Sequence, residues 1–528
     1  MPTLMRKAEA SAAATQGRSE AVCRPEAEGR ESLAARVSEA FARSVRDNIL
    51  AEFGAQAIRF GGIIFLARIL GPEDFGILKA LVAVTLIATI FIQAGIPDAL
   101  IQRRELTGEH ECAGWWMSLA VTSIVVATVY LGAAHIAGWM EMPGLKPAIR
   151  LMCVPIFIEG TSMVSNARLE RALSFGALAL ADVLAEIAFV AVALALLVAG
   201  LPRWSLIGGL AARFAIHGLT VWSASPRIYL ALPRPHAIRD LFGFALSVWG
   251  GRIVQALSDN SDYLLIGRLL GSGPLGIYGM ARDLLRFVPN RLHRVAGRVI
   301  FSAFCKLQDD SREMARAYAQ FYCAMTRIIL PLLMCMAVTA PDLVKTMYGA
   351  RWLAAAAPLQ ALALGLAFAG LKTAVSSIYT AKGHPSLDIH LNGLRLVLVV
   401  AILLVLRNRG LLAIAVGISA AEIMTSIAAQ YVGSCFTSLT LADILRESLP
   451  GVRLALVCGA TSLFVSIVCH HFGIHGVPAL ALALLAAGAV YLRLEAANLT
   501  YMVKRAYSSP PQAPVQEEHD SDAEVAAF

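Results

Sequence analysis

Apolar residues in this chain come in long blocks separated by short polar connections. A helix rises about 1.5 Å per residue, so a block of about 20 apolar residues is long enough to cross the hydrocarbon of a bilayer. Blocks such as 190–201 and 477–490 also lack the alternating polarity that a membrane β-barrel requires. The pattern therefore predicts an all-α polytopic membrane protein.

We predict about fourteen spans, centred near residues 58, 88, 125, 157, 188, 213, 253, 285, 330, 368, 398, 421, 460 and 483. The expected organisation is a cytosolic N-terminal extension (1–45), an N-lobe of six spans (46–225), a C-lobe of six spans (226–435), a C-terminal helix pair (436–500) and a cytosolic polar tail (501–528). Within the C-lobe, 299–320 is expected to form a cytosolic amphipathic segment.

An internal repeat supports the division into lobes. Residues 65–78 read FLARILGPEDFGIL, and residues 265–278 read LIGRLLGSGPLGIY. Both copies lie where the first span of a lobe ends and the second begins. With six spans between them the copies share one orientation, which predicts parallel repeats related by an axis along the membrane normal. We interpret Gly71 and Gly271 as tight turns between helices.

Composition and charge agree with a membrane location and exclude several other classes. The chain is 57% apolar and 16% charged, and its net charge of +8 comes from basic residues in short loops, which indicates membrane topology rather than nucleic-acid binding. The loop charges favour cytosolic N- and C-termini in a bacterial inner membrane. Nine cysteines form no metal-ligand spacing, and no phosphate-binding loop of the ATPase type occurs, so no metal or cofactor is expected.

Two predicted spans carry a polar face. In the first span Asn48, Glu52, Gln56 and Arg59 follow one another at spacings of four, four and three. In the seventh span the corresponding residues are Arg252, Gln255, Asp259 and Asp262. Helical spacing of this kind places side chains on one face, and charged groups inside a membrane point to a bundle interior. Two such faces predict a hydrated cavity between the lobes.

Further basic residues fall inside spans: Arg213, Lys372 and Arg395. Because a guanidinium group grips a diphosphate through paired hydrogen bonds, we predict that Arg59, Arg252, Arg213, Lys372 and Arg395 bind an anionic substrate. Glu52, Asp259 and Asp262 are candidates for a coupling ion. The alternative is that Glu52–Arg59 and Arg252–Asp259 are structural pairs. Asp182, Glu186 and Glu422 are interpreted as groups that form hydrogen bonds between helices or that lie near the membrane interface. His470, His471 and His475 are interpreted as exposed loop residues.

Four segments carry a resemblance to a known family: LARILGPEDFG at 66–76, SDYLLIGRLLG at 261–271, KLQDD at 306–310 and APDLVKTMYGARW at 340–352. In this order they resemble the polysaccharide-export branch of the multidrug, oligosaccharidyl-lipid and polysaccharide exporter superfamily, near the O-antigen and exopolysaccharide flippases. The resemblance implies two six-helix lobes, extra C-terminal helices, alternating access and an undecaprenyl-diphosphate-linked oligosaccharide as cargo. Arg59 and Arg252 fall on helices where relatives carry cavity cations.

The expected function is therefore that of a transporter, which flips this lipid-linked oligosaccharide for exopolysaccharide or O-antigen synthesis. Its expected partners are the substrate, membrane lipids and a polysaccharide polymerase with export machinery. A multidrug exporter of the same superfamily would be expected to have a more apolar cavity dominated by carboxylates. A peptidoglycan-precursor flippase would share the chemistry with another sugar. A polymerase or ligase would need a large outer loop, and none is predicted here.

Overall fold

The computed structural model describes residues 53–103, 106–225, 231, 233–287, 289, 300, 303–305, 307, 310–437 and 439–508. The elements of this part of the chain are helices: α1 (53–69), α2 (Pro72–Gln93), α3 (Ile96–Gln102), α4 (Gly108–Trp139), α5 (Leu145–Arg171), α6 (Phe175–Val198), α7 (Pro202–Ala224), α8 (Pro235–Leu270), α9 (Ser272–Arg286), α10 (Ser311–Val338), α11 (Ala340–Tyr348), a 3₁₀ turn (Ala350–Ala355), α12 (Ala356–Ala381), α13 (Ser386–Leu406), α14 (Gly410–Ser434), α15 (Leu441–His471) and α16 (Val477–Ser508).

The all-α membrane fold is confirmed. Among the described residues, ten helices have the length and apolar composition needed to cross a bilayer: α2, α4, α5, α6, α10, α12, α13, α14, α15 and α16. Each of the predicted centres also falls inside a helix. The other four predicted centres lie in α1, α7, α8 and α9. Of these helices, α1, α7 and α8 carry predicted substrate-binding arginines. The number fourteen stays a prediction.

Local sequence explains where the helices begin. Pro72 is the first residue of α2, where a backbone N–H would have no partner within the helix. Asp74 Oδ2 accepts a hydrogen bond from the Gly71 N–H at 3.4 Å. At α10 the carboxylate of Asp310 accepts from the N–H groups of Arg312 and Glu313 at 2.9 and 3.1 Å. Gly271 has a φ of 85°, which a glycine adopts without strain, and it separates α8 from α9. The predicted turns at Gly71 and Gly271 are confirmed.

The described residues form two compact units. The first comprises those up to Met280 together with Asp388–Ile414, and the second comprises Ala281–Leu387 and those from Ala415 onward. The predicted boundary between lobes at 225 stays a prediction. In the second unit, residues 311–320 form the first turns of α10, and His470 and His471 end α15 rather than lying in a loop. His470 Nε2 lies 3.0 Å from Asp342 Oδ1.

The two copies of the repeat meet inside the first unit. A Cβ placed on Gly76 would lie 1.8 Å from the carbonyl oxygen of Ser272, and one placed on Gly276 would lie 1.9 Å from the carbonyl oxygen of Pro72. The contacts are reciprocal, because residues 72 and 76 of one copy correspond to 272 and 276 of the other. Only glycine permits the N-terminal turns of α2 and α9 to approach this closely.

Small residues also bring α5, α6 and α7 together. A Cβ on Gly209 of α7 would lie 2.7 Å from the Phe189 carbonyl oxygen of α6, and one on Gly218 would lie 3.1 Å from Glu159 Cα of α5. In a membrane, where apolar side chains gain little from leaving lipid, such close backbone approach is a main source of helix association. These glycines hold the middle of α7 against the middle of two neighbouring helices.

Candidate functional site

Three helices of the first unit contribute to a charged cluster around Glu186. Arg213 Nε donates to Glu186 Oε1 at 2.8 Å, and Arg59 Nη1 lies 3.9 Å from the same oxygen. Glu186 is 5% exposed, and its Oε2 is buried without a hydrogen-bond partner. Because a buried charge needs a counter-charge, one carboxylate here serves two guanidinium groups. We call Arg59, Glu186 and Arg213 the arginine pair site.

The sequence places these groups at similar depths. Glu186 lies near the middle of α6 and Arg213 near the middle of α7, and α6 and α7 form a hairpin joined by a short turn at Gly200. The interpretation of Glu186 as a hydrogen-bonding group between helices is confirmed by its bond with Arg213. Arg59 and Arg213 are each about one third exposed, so both guanidinium groups keep surface that another anion can reach.

One turn along α7, His217 lies between two carboxylates. Its Nδ1 is 3.0 Å from both Glu159 oxygens, and its Nε2 is 3.7 Å from Asp182 Oδ1. Gly218 makes this possible, since it lets α7 approach the backbone of Glu159. The sequence reasoning missed His217. Its position four residues after Arg213, on the same face of one span, is the signal that would have found it.

Arg252 belongs to a separate contact at the break between α2 and α3. Ala94 and Gly95 both have positive φ there, and Gly95 packs against the carbonyl of Ala245 on α8. Arg252 Nη2 lies 2.8 Å from Asp98 Oδ1, and its Nη1 donates to Gln93 Oε1 at 3.2 Å. The alternative pairing of Arg252 with Asp259 is wrong, because the carboxylate beside it belongs to α3.

Further along α8 the predicted ion-coupling residues have partners that differ from one another. Asp262 is fully buried and accepts hydrogen bonds from the Tyr278 hydroxyl and the Tyr263 N–H. Arg395 of α13 is 3% exposed and donates to both the carbonyl and the hydroxyl of Ser258. Asp259 is half exposed, 3.9 Å from Arg395 Nη1. The predicted polar face of α8 therefore meets four different helices, α2, α3, α9 and α13.

The remaining predicted site residues lie elsewhere. Lys372 is half-buried on α12 in the second unit. Glu52 lies outside the described residues. The structure therefore brings Arg59 and Arg213 together and places Arg252, Asp259, Asp262 and Arg395 along α8 and α13. Asp98 and Gln93 were missed, because they flank a helix break that apolar blocks do not reveal.

An apolar cavity of about 660 Å³ lies between α2, α4 and α8 of the first unit, and none of these charged residues lines it. Its wall includes Phe91, Ile124, Trp139 and Leu264, with His135 as its one ionisable residue. Such a wall suits hydrocarbon and offers little to a diphosphate. The chemistry of the arginine pair site fits an anion, because two permanently charged and partly accessible groups both lie beside the Glu186 carboxylate.

Comparison with known families and proteins supports this interpretation of the fold. The model of a family described as "Polysaccharide biosynthesis protein" matches residues 65–357. The chain is 21% identical over 424 residues to the teichuronic acid biosynthesis protein TuaB of Bacillus subtilis (strain 168). That match covers 78% of this chain and 86% of TuaB. It is also 23% identical over 375 residues to the lipopolysaccharide biosynthesis protein WzxC of Escherichia coli (strain K12). That match covers 70% of this chain and 75% of WzxC.

Among solved structures, the lipid II flippase MurJ in an inward closed conformation is similar with a TM-score of 0.65 and 13% identity. The match covers 84% of this chain and 98% of that one. At this identity the similarity establishes the fold alone.

Proposed function

The chain belongs to the polysaccharide biosynthesis protein family, and on that premise we propose that it translocates a lipid-linked oligosaccharide across the membrane, holding its phosphate group at the arginine pair site. It is a transporter and not an enzyme. The cargo is an oligosaccharide linked to undecaprenyl diphosphate, destined for exopolysaccharide or O-antigen.

One observation carries the proposal: two guanidinium groups from α1 and α7 share the buried carboxylate of Glu186 near the middle of an apolar helix. An ionisable group at the centre of a bilayer raises the free energy of insertion by at least about 2.5 kcal/mol, so three of them together are retained for a function. A diphosphate offers more oxygens than Glu186 does. It satisfies both guanidinium groups through charge-assisted hydrogen bonds while the sugar remains in a hydrated space and the polyprenyl chain in lipid.

Arg252 is a second contact for the substrate. Its side chain is 40% exposed beside Asp98, whose Oδ2 is buried without a hydrogen-bond partner. Lys372 stays a further candidate on α12. Arg395 is assigned to helix packing, because its guanidinium bonds the backbone of Ser258. Alternating access exposes the cations first to the cytosolic and then to the opposite face. The protein lies in the bacterial inner membrane with both termini cytosolic, and its product passes to a polymerase and export machinery.

Deletion of the gene in its host, followed by mass spectrometry of undecaprenyl-linked oligosaccharides, tests the function. We expect a completed lipid-linked repeat to accumulate and surface polymer to disappear. Unchanged lipids and polymer together with new drug sensitivity would instead assign the chain to multidrug export. Accumulation of a peptidoglycan precursor would identify the other flippase class.

Complementation of the deletion strain tests the site. The double variant Arg59→Gln, Arg213→Gln is expected to reach the membrane in normal amount and to leave surface polymer absent. Arg150→Gln is the matched control, since Arg150 is a cation of the same unit that lies over the Tyr130 ring, 5.0 Å from its centroid. Full complementation by the double variant would show that the arginine pair does not bind the substrate.

A further inference from the structure

The wall of the apolar cavity adjoins the Arg252 contact through a pair of aromatic rings. Phe91 of α2 lines the cavity, and its ring packs edge-on against Trp249 of α8, with the ring centroids 5.6 Å apart. Trp249 Nε1 also donates to the Ile90 carbonyl at 3.1 Å, which joins the two helices at this level. Arg252 lies one helical turn further along α8 and donates to Gln93, two residues after Phe91. One end of the hydrocarbon-lined space is therefore next to a guanidinium group.

The cavity is elongated along the helices that form it. On α4 its wall runs from Ile124 to Trp139, a distance of about 22 Å along the helix axis. A volume of about 660 Å³ over this length leaves room for one hydrocarbon chain, whereas a membrane phospholipid would bring two. The shape of the cavity and the neighbouring guanidinium group together fit a lipid that has a single chain and an anionic end.

The position of Arg252 along α8 fits the phosphate of a lipid that lies in one leaflet. Arg252 precedes the Gly271 turn by about 28 Å of helix, and Phe91 follows the Gly71 turn by the same distance. The hydrocarbon core of a bilayer is about 30 Å thick, so Arg252 lies near the boundary opposite these turns, and the cavity extends from it toward Leu264. With the predicted cytosolic termini, this boundary is the cytosolic one.

We propose that Arg252 and the apolar cavity together form a lipid phosphate site, in which Arg252 binds the phosphate of a polyprenyl-linked substrate and the cavity holds the hydrocarbon next to it. The identity of this lipid rests on the proposed function. Arg252 contacts Asp98 and Gln93 through two of the five N–H donors of its guanidinium group, and its side chain is 40% exposed. These contacts fix its orientation and leave an exposed part for the phosphate. At another stage of transport the same phosphate occupies the arginine pair site, and the chain then lies in lipid.

Photo-cross-linking maps the lipid phosphate site in the wild-type chain, so the test does not depend on the folding of any variant. The probe is a polyprenyl phosphate with a diazirine in its first isoprene units, added to the protein in lipid nanodiscs, and mass spectrometry locates the labelled peptides. We expect labels on the cavity walls of α2, α4 and α8. Excess undecaprenyl phosphate is expected to abolish them, whereas excess phosphatidylglycerol is not. Labels confined to other helices, or equal competition by phosphatidylglycerol, would overturn the proposal.

Two substitutions separate the contribution of the hydrocarbon from that of the phosphate. Val84→Trp places an indole in the cavity and is expected to remove most of the labelling, while Leu86→Trp is the matched control on the same helix, at a position that is 41% exposed outside the cavity wall. Arg252→Gln is expected to lower the affinity for polyprenyl phosphate about tenfold and to leave that for polyprenol, which lacks the phosphate, unchanged. Equal labelling of the two tryptophan variants, or equal losses for the two lipids in Arg252→Gln, would contradict the lipid phosphate site.

These binding measurements involve no translocation, so they fail or succeed independently of the gene deletion. If the deletion strain accumulates the lipid-linked repeat but the labels lie outside the cavity, the proposed function holds and the lipid phosphate site is wrong. If the labels lie in the cavity but the deletion strain keeps normal lipids and polymer, the lipid phosphate site holds and the proposed function is wrong.

Discussion

The two groups of intramembrane arginines in the first unit differ in how their charges are satisfied. At the arginine pair site, Arg59 and Arg213 share one oxygen of Glu186, and both side chains are partly exposed. On the α8 side, Arg395 is almost fully buried and its guanidinium donates to the carbonyl and hydroxyl of Ser258. A shared, accessible cation can exchange its partner for an anion from outside. A buried cation bonded to backbone cannot do so without opening the helix contact.

The largest expected effect separates these two roles directly. Arg213→Gln removes charge-assisted hydrogen bonds of about 1.5–3 kcal/mol, so the affinity for a lipid diphosphate is expected to fall about 10- to 100-fold. Arg395→Gln is expected to leave that affinity within about twofold per folded molecule. Titration of nanodisc-embedded protein with undecaprenyl diphosphate measures both. Equal losses in the two variants would erase the distinction.

The second expected effect is on the free energy of unfolding, and here Arg395→Gln is the more damaging variant. Arg395→Gln removes two hydrogen bonds to Ser258 and is expected to lower the free energy of unfolding by about 3 kcal/mol. Arg407→Gln, at an exposed position just beyond α13, is the control and is expected to have little effect. The melting temperature of the protein in detergent provides the measurement. An unchanged melting temperature for Arg395→Gln would mean that the Ser258 contact contributes nothing to folding.

A smaller loss is expected at the carboxylate of Asp262. Tyr278→Phe removes the hydroxyl that donates to it, which is expected to lower the free energy of unfolding by about 1.5 kcal/mol because the Tyr263 N–H still donates. Tyr130→Phe is the control, because the Tyr130 side chain on α4 is about half exposed. If both variants melted at the same temperature, the Tyr278 hydroxyl would contribute nothing to stability and other groups would have to satisfy the Asp262 carboxylate.

The smallest expected effect is on the pH dependence of stability, and it comes from Asp310, the residue that precedes α10. The pKa of Asp310 is held below its ordinary value because its carboxylate accepts hydrogen bonds from the backbone N–H groups of Glu313 and Arg312. A carboxyl with a lowered pKa in the folded state stabilises above its ordinary pKa, and this stability is lost as the pH falls through the folded value. Melting temperatures measured down an acid series should show this slight loss in the wild-type chain. Asp310→Asn keeps the cap without the charge and should lack it.

Much of the architecture follows from the sequence because a bilayer permits few solutions for long apolar blocks. The helix positions and the turns at Gly71 and Gly271 were predictable. The partners of the charged groups were not. Spacing along α8 puts Arg252 and Asp262 on one face, yet Arg252 meets α3 and Asp262 meets Tyr278 of α9. The residues that share one face of a helix follow from local sequence, whereas the helices that contact this face depend on how distant segments pack.

His217 illustrates the same limit. A single histidine in an apolar span is most simply interpreted as a packed core residue, and nothing in the surrounding sequence indicates a carboxylate 58 residues earlier. Only the close approach of α7 to α5 at Gly218 makes the pair visible. The partners of a charged side chain are therefore known only from the fold.

The close approach of the two copies of the repeat at Gly76 and Gly276 has a consequence for the substitutions that each position tolerates. Gly76 approaches residue 272 in the same way that Gly276 approaches residue 72. A contact that is identical in both directions is what two copies of a single polypeptide make across a two-fold axis. A side chain at position 76 or at position 276 would therefore meet the backbone of the opposite copy, and either substitution would force the N-terminal turns of α2 and α9 apart.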